Sequence, residues 1–230
     1  MAKIIPGAIG QLSGSIGDTT YSRNRYGLYA RRRGIPVNPN SARQNAVRTI
    51  FSDLAQHWQN TLTAAQRSAW ETYGANVTMI DKLGQAITLT GQSHYIRSNV
   101  AALTAGLTRV DDGPTTFTLP GEDPTLTVTA DSATGELSVA FDDSLDWLDE
   151  TGGALLIHAG RSVAPTINFY RAPFRFADSV DGDDTTPPTT PATITAPFTL
   201  SSGNVVHVYA RILRADGRLS SPFRTSASIS

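Results

Sequence analysis

The sequence has 230 residues, 40% of them hydrophobic, so it can bury a sizeable core and is not disordered throughout. It contains no cysteine, which excludes disulfides, thiolate catalysis and cysteine-based zinc or iron–sulfur sites. The net charge of −1 hides an asymmetry: residues 1–50 carry eight basic residues and one acid, whereas residues 111–230 carry seven arginines and sixteen acids. Such sorting is typical of a chain whose two ends meet different surroundings.

The beginning of the sequence carries no pattern typical of targeting or membrane insertion. Pro6 and a series of glycines follow Ile4 and Ile5, so no signal-peptide core is formed. The longest apolar runs are far below the roughly 18 residues of a membrane helix. We expect a soluble protein with no membrane partner, which stays in the cytoplasm or is carried elsewhere inside a particle.

Residues 1–40 are predicted to form an extended basic arm. Six glycines and three prolines make the backbone entropy of folding too costly for the segment to fold alone. Residues 21–33 alternate loosely, which favours a strand or hairpin with its turn at Gly27. Such a segment either pairs with a strand of a partner or lies within its own domain. We expect that these residues pair with a strand of a partner.

Residues 41–106 are predicted to form a helical module with a β-hairpin. Two capping boxes, Ser41–Gln44 and Thr63–Gln66, begin two helices, and Gly74 is expected to end the second. The apolar stripe of the first helix consists of Val47, Ile50, Phe51, Leu54 and Trp58. A DNA-binding helix-turn-helix is disfavoured, because the second helix offers only Arg67 as a base reader and also carries Glu71.

The same module continues with a small hairpin and a third helix. Residues 77–80 and 86–89 are predicted to pair across a turn that contains Gly84. Thr90 or Ser93 caps the next helix, and Gly106 ends it.

After a linker over residues 107–124, residues 125–230 are predicted to form a β-sandwich of the immunoglobulin or fibronectin-III type. A long surface loop is expected over Asp178–Pro191. The fold class is therefore α+β, with several domains. The candidate strands are Leu126–Ala130, Glu136–Phe141, Ala154–Gly160, Ile167–Phe176, Ala192–Phe198, Val205–Leu213 and Ser220–Ser228.

Motifs that carry chemistry are sparse. The four histidines, His57, His94, His158 and His207, occur singly in predicted helices and strands, so a structural role is favoured over metal binding. Two acidic clusters are compatible with sugar hydrolysis or calcium binding, but solvated turns explain them better. We predict no enzymatic activity, no cofactor and no metal. The clusters consist of Asp142, Asp143, Asp146, Asp149 and Glu150, and of Asp178, Asp181, Asp183 and Asp184.

The interleaved tyrosines and arginines of the arm are the candidate partner-binding residues. Guanidinium groups suit carboxylates and phosphates alike, and tyrosine adds contact area. Apolar residues and glycines spaced throughout the arm favour a protein groove, while nucleic acid remains the second possibility. The residues are Tyr21, Arg23, Arg25, Tyr26, Tyr29, Arg31, Arg32 and Arg33.

A series of short motifs over residues 7–100 resembles a family of structural proteins of tailed bacteriophages and prophages. They are Ile9-Gly10 through Gly17, Tyr21-Ser-Arg23-Asn-Arg25-Tyr-Gly, Arg33 with Pro36-Val-Asn-Pro39 and Gln44, Leu62-Thr-Ala-Ala-Gln66-Arg-Ser-Ala-Trp70, Leu83-Gly-Gln85, Leu89-Thr-Gly91, Tyr95 and Arg97-Ser-Asn99. The resemblance implies a virion component assembled in the bacterial cytoplasm, and it brings no catalytic residues.

Within that class, the resemblance and the charge asymmetry together favour a capsid decoration or cement protein. Its basic arm would attach to the major capsid protein or another virion protein, its sandwich would project outward, and homo-oligomers are expected. A neck or tail component is the alternative within the same class. A nucleic-acid-binding protein that uses the basic arm is the alternative from another class.

Overall fold

A computed structural model describes residues 2–3, 12–24, 27–34, 37–80, 85–170 and 173–230. The chain divides into two compact units, residues 1–42 and residues 43–230. Apart from one short hairpin within the helical segment, helices and antiparallel sheets occur in separate parts of the chain, which places the fold in the α+β class. No helix in the described ranges has both the length and the apolar character that crossing a bilayer requires.

The N-terminal unit contains a four-stranded antiparallel sheet. Its strands are β1 (Ala2–Lys3), β2 (Gly14–Ile16), β3 (Thr19–Asn24) and β4 (Gly27–Arg32), in the order β1-β4-β3-β2. The predicted hairpin is confirmed, because β3 pairs with β4 along its whole length. Gly27 opens β4 opposite Asn24 instead of forming the turn, and the two residues between them lie outside the described ranges.

The expectation of an extended arm is corrected by these pairings. The hairpin offers two open edges, and the short strands β1 and β2 occupy them. The N-terminal segment therefore satisfies much of its backbone hydrogen bonding within itself.

Three helices follow, α1 (Ala42–Asn60), α2 (Ala64–Asn76) and α3 (Gly91–Thr104). The capping box of α2 is confirmed: the Gln66 amide donates to Thr63 Oγ1 at 3.2 Å, and the Thr63 amide donates to Gln66 Oε1 at 3.0 Å. Thr90 caps α3, accepting from the Ser93 amide at 3.2 Å. At its other end, Gly106 adopts a φ of +82° directly after the helix, as expected.

The predicted end of α2 at Gly74 is wrong, because the helix continues to Asn76. Gly74 is needed for packing instead: a Cβ there would lie 2.7 Å from the Leu89 carbonyl oxygen. Gly91 plays the matching part on α3, where a Cβ would lie 2.5 Å from the Glu71 amide nitrogen. The two glycines allow α2 and the start of α3 to approach closely.

The predicted apolar stripe of α1 is only half covered. Leu54 and Trp58 are buried, and Ile50 packs at the edge of the same cluster. Val47 and Phe51, one and two turns from the start of the helix, are 46% and 54% exposed. The helix itself is confirmed, but neighbouring elements cover the apolar stripe only in the second half of the helix.

The predicted small hairpin forms between β5 (Thr78–Ile80) and β6 (Ala86–Thr88), one residue shorter at each outer end than expected. Its turn, with Gly84, lies outside the described residues.

Two antiparallel sheets make up the C-terminal half. Their strands are β7 (Thr127–Asp131), β8 (Glu136–Ala140), β9 (Ala154–Gly160), β10 (Phe174–Asp181), β11 (Ala192–Thr195), β12 (Val205–Leu213) and β13 (Phe223–Ser228). The strand orders are β11-β8-β7 in one sheet and β10-β9-β12-β13 in the other. Their inner faces contribute to one buried cluster, in which Val139, Ile157 and Val208 are fully covered.

The fourth predicted strand of this half is misplaced. The sequence predicts Ile167–Phe176, whereas β10 begins at Phe174 and continues to Asp181. It pairs with all of β9, from Phe174 opposite Gly160 to Asp181 opposite Ala154, with an irregularity after Phe176. The loop expected from Asp178 therefore begins only after Asp181. Long-range pairing with β9 overrides the low strand propensity of the aspartates.

Two other strand ends differ from the sequence-based expectation by three residues each, and the ends of β7 and β8 differ by at most one. β11 stops at Thr195, three residues earlier than expected. β13 begins at Phe223 because the preceding Ser220 is turned inward, where its hydroxyl accepts a hydrogen bond from the Ile212 amide at 2.8 Å.

Candidate interaction surface

The N-terminal sheet has no buried side. Among its described residues, no side chain is buried, and the three buried clusters of the protein all lie in residues 43–230. Ile16, for example, is 67% exposed. A sheet needs one face covered by apolar packing to be stable by itself. This sheet therefore has the form of an interaction surface.

Strand register sorts its side chains onto two faces. Residues opposite each other in an antiparallel ladder share a face, and successive residues alternate. One face, here called the Tyr21 face, has an apolar centre with an arginine towards each end of the hairpin; its described side chains include Ile16, Thr19, Tyr21, Arg23, Leu28, Ala30 and Arg32. The opposite face, the Tyr29 face, is more polar; it consists of Ser15, Thr20, Ser22, Tyr29 and Arg31.

The predicted partner-binding residues therefore do not form one patch. Tyr21 lies on one face with Arg23 and Arg32, whereas Tyr29 and Arg31 lie on the other. Arg33 follows β4, where its amide donates to the Asp18 carbonyl at 2.6 Å. Arg25 and Tyr26 lie outside the described residues.

The four described arginines of this group point into solvent. Arg23, Arg31, Arg32 and Arg33 are all exposed, and no ion pair in the described ranges involves them. Their charge is therefore available to an anionic surface.

A second charged surface, of opposite sign, lies at one end of the two C-terminal sheets. We call it the acidic end; it comprises the loop 141–153, residues 181–184 and the turn 214–218. Two backbone hydrogen bonds hold the first two segments together: the Gly182 amide donates to the Gly153 carbonyl at 2.8 Å, and the Asp183 amide donates to the Leu148 carbonyl at 2.9 Å. Thr151 Oγ1 adds a bond to Asp184 Oδ1 at 2.9 Å.

The structure thus unites two acidic clusters that are thirty residues apart in the chain. Gly182 makes this possible, because a Cβ there would collide with the Trp147, Leu148 and Glu150 carbonyls. The acidic end holds nine carboxylates against two guanidinium groups, those of Arg214 and Arg218. No group of three or more ligating side chains suited to a metal is found in the part of the chain that the structure describes.

Some carboxylates of the acidic end fix its own loops. Arg214 Nε donates to Glu150 Oε2 at 2.8 Å, and this bond lowers the pKa of Glu150. Hydrogen bonds from the Ser144 hydroxyl and amide lower the pKa of Asp142. The Thr185 and Thr186 amides do the same for Asp183. These carboxylates order the loops, whereas Asp143, Asp149 and Asp181 are exposed.

A separate polar network fixes the segment predicted as a linker. Asp111 accepts from Arg109 Nε at 2.7 Å and from the Tyr95 hydroxyl at 3.2 Å, and it lies 3.3 Å from His57 Nε2. Burial alone would raise the pKa of Asp111, but the Arg109 and His57 bonds outweigh it and lower it. The Trp70 indole donates to the Asp111 carbonyl at 3.0 Å. Each polar partner is satisfied, which is typical of a structural network.

The Asp111 network also borders a cavity of about 510 Å³. Residues 106–112, Thr151, Gly152 and Ala215 line it. Among its ionisable groups, Arg109 pairs with Asp111, and Asp112 accepts from Gln66 Nε2 at 3.0 Å; nothing in the cavity is arranged as a nucleophile with a base. This geometry gives no support for catalysis.

The histidines lie on two helices and two strands, as predicted. His94 is fully buried with its ring edge-on to Tyr73, and burial, helped by Arg97, lowers its pKa to about 4. His158 stacks on Tyr209 with 4.5 Å between ring centroids. Burial and the charges of Arg211 and Arg43 lower its pKa to about 4 as well. Both rings are therefore neutral packing elements at neutral pH.

Sequence reasoning missed the acidic end as one surface. The only signal was the pair of glycines beside the acidic clusters, and glycine alone does not say which backbone will approach it. In comparisons with known proteins, no family model matches the sequence, and no curated protein is significantly similar to it.

Proposed function

We propose that this protein is a non-enzymatic structural component of a bacteriophage virion, and that its N-terminal sheet attaches it to other virion proteins. One observation carries the proposal: a basic four-stranded sheet in which no described side chain is buried. A partner surface would bury its apolar centre and neutralise its arginines. The resemblance of residues 7–100 to phage structural proteins supplies the virion context.

Within this class we favour a capsid decoration or cement protein that binds the major capsid protein. Residues 43–230 contain all three buried clusters and would form the outward body. A neck or tail component is the alternative, because a docking sheet also locks subunits of a ring.

We further propose that β7–β13 form a sandwich of the immunoglobulin or fibronectin-III type. The first, second and fifth strands pair in one sheet, and the third, fourth, sixth and seventh in the other. This order differs from an immunoglobulin constant domain only in the fourth strand, which pairs with the third instead of the fifth. A parallel bridge from Ala130 to Ile229 links the first strand to the end of the last. Such domains host many functions, so the fold itself does not specify a ligand.

The test is to count this protein in purified virions by quantitative mass spectrometry. Hundreds of copies per particle would support capsid decoration, and about six or twelve would support the neck or tail. Absence from particles would overturn the proposal.

Attachment is tested by adding purified chains to particles that lack the protein. We expect the wild type to bind and R23E/R32E, which reverses the charge of the Tyr21 face, to lose binding. The control is R161E/R224E, which reverses two exposed arginines of the C-terminal half. Equal binding by both variants would contradict attachment through the sheet.

Nucleic-acid binding is a second candidate because of the same four exposed arginines. It predicts binding to generic DNA that weakens steeply with salt and disappears in R23E/R32E. No binding at low salt would exclude it.

A further inference from the structure

We propose that the Tyr21 face of the N-terminal sheet docks on the acidic end of a second copy of this chain, so that copies associate head to tail. The inference rests on the proposed assembly role and names one partner for it.

The first argument comes from the shape of the sheet. Its edge strands have only two and three residues, too few for an added strand to find a long ladder. Its faces are the larger free surfaces. On the Tyr21 face, Tyr21 and Leu28 are only partly covered and Ile16 is largely exposed. Docking by a face, not by an edge, is what would bury them.

The second argument comes from charge. Residues 1–42 carry six basic side chains and one acid, and the acidic end carries nine acids and two bases. Arg23 and Arg32 are the basic side chains of the Tyr21 face, so the two surfaces that we propose to pair have opposite signs. Complementary fields of this kind steer association and select the partner.

The third argument concerns order at the acidic end. Backbone bonds through Gly153 and Gly182 and the Arg214–Glu150 pair hold its loops. Asp143, Asp149 and Asp181 remain exposed and take part in no ion pair that the described residues form. A partner therefore meets ordered carboxylates, whose alignment costs little entropy on binding.

A contact between two different surfaces of identical chains is heterologous, and it closes into rings or continues as filaments. Purified full-length protein should therefore form concentration-dependent oligomers, and these should dissociate at high ionic strength because the contact is electrostatic. Sedimentation equilibrium at low and high salt measures both properties.

Charge reversal identifies the two surfaces. We expect D143K/D149K/D181K to weaken self-association by about tenfold or more. The matched control, D53K/E71K/E122K, reverses three exposed acids outside the acidic end and should associate like the wild type. R23E/R32E, on the Tyr21 face, should weaken association as much as the first variant. Circular dichroism shows whether each variant is folded.

Mixing the two charge-reversal variants tests whether the Tyr21 face binds the acidic end. D143K/D149K/D181K and R23E/R32E, each weakened alone, should associate when combined, because the unaltered sheet of the first variant then meets the unaltered acidic end of the second. Failure of the mixture to associate would overturn the inference, as would a wild type that is monomeric throughout. If the purified protein is monomeric but many copies occur in each virion, head-to-tail association is contradicted and the virion role stands. If it forms head-to-tail oligomers but is absent from virions, only the virion role is contradicted.

Discussion

The two units of this chain both contain antiparallel sheets, but only one of them covers its side chains. In residues 43–230, strands and helices bury three clusters, and residues such as Trp70, Leu137 and Leu155 are inaccessible to solvent. In the N-terminal sheet, no described side chain is buried. The comparison teaches that strand pairing and core formation are separate events: register needs only backbone hydrogen bonds, whereas a core needs a second layer.

The largest expected effect is the difference in stability between a substitution in the core of residues 43–230 and one in the N-terminal sheet. Trp70 is fully buried, contacts Tyr73 and Tyr95 edge-on, and donates to the Asp111 carbonyl. Trp70→Ala should lower the free energy of unfolding by about 4 kcal/mol. Leu28→Ala in the N-terminal sheet should change it by less than about 0.5 kcal/mol. Urea unfolding followed by circular dichroism measures both, and equal losses would contradict the comparison.

Close backbone approach gives the next effect. Gly91→Ala should cost about 3 kcal/mol, because its Cβ would be forced against the Glu71 backbone between α2 and α3. Gly121→Ala is the control, since nothing lies within 4 Å of a Cβ at that position. Thermal unfolding of the two variants measures the difference in their stability. A Gly91 variant as stable as the control would mean that the helices can separate freely.

Acid should weaken the body of the protein through His94. Its pKa is about 4 in the fold and 6.5 in an unfolded chain, so between these pH values the unfolded state binds the proton more strongly. The free energy of unfolding should therefore fall as pH falls through this window, by roughly 3 kcal/mol for this residue. His94→Phe keeps a ring against Tyr73 and should reduce the dependence by about half, because His158, whose pKa is also lowered to about 4, still contributes. An unchanged pH profile would contradict this assignment.

The smallest expected effect concerns the N-terminal cap of α2. Thr63→Ala removes the acceptor for the Gln66 amide and should lower the free energy of unfolding by about 1 kcal/mol. Thr72→Ala, in the middle of the same helix and exposed, should be neutral or slightly stabilising, because alanine favours helix. Chemical unfolding distinguishes them, and similar values for the two would show that the cap contributes nothing.

Signals that act within a few residues were predicted well. The Thr63–Gln66 box, the Thr90 cap and the Thr19–Arg32 hairpin all follow from neighbouring side chains and backbone geometry. Strands β9 and β12 have the predicted bounds, because long runs of apolar and β-branched residues mark fully buried central strands. The errors fall where distant residues decide, as at β10, whose length is set by β9, and at Gly74, whose role is set by Leu89.

The candidate surface shows the same division. Its residue types and its positive charge were evident in the sequence, but their separation onto two faces required the register of β3 with β4. The acidic end required more, because the loop that contains Asp149 and the end of β10 at Asp181 come together only when β9 pairs with β10.

The amino-acid sequence was enough to predict the class of the fold, the caps and most strands, the scarcity of catalytic motifs and the opposite charges of the two ends. Those properties depend on composition and on contacts between near neighbours. The three-dimensional arrangement was needed to show that the N-terminal strands form a sheet in which no described side chain is buried, and that two acidic segments become one surface. Both outcomes depend on which distant backbones come together, and an individual residue does not encode that choice locally.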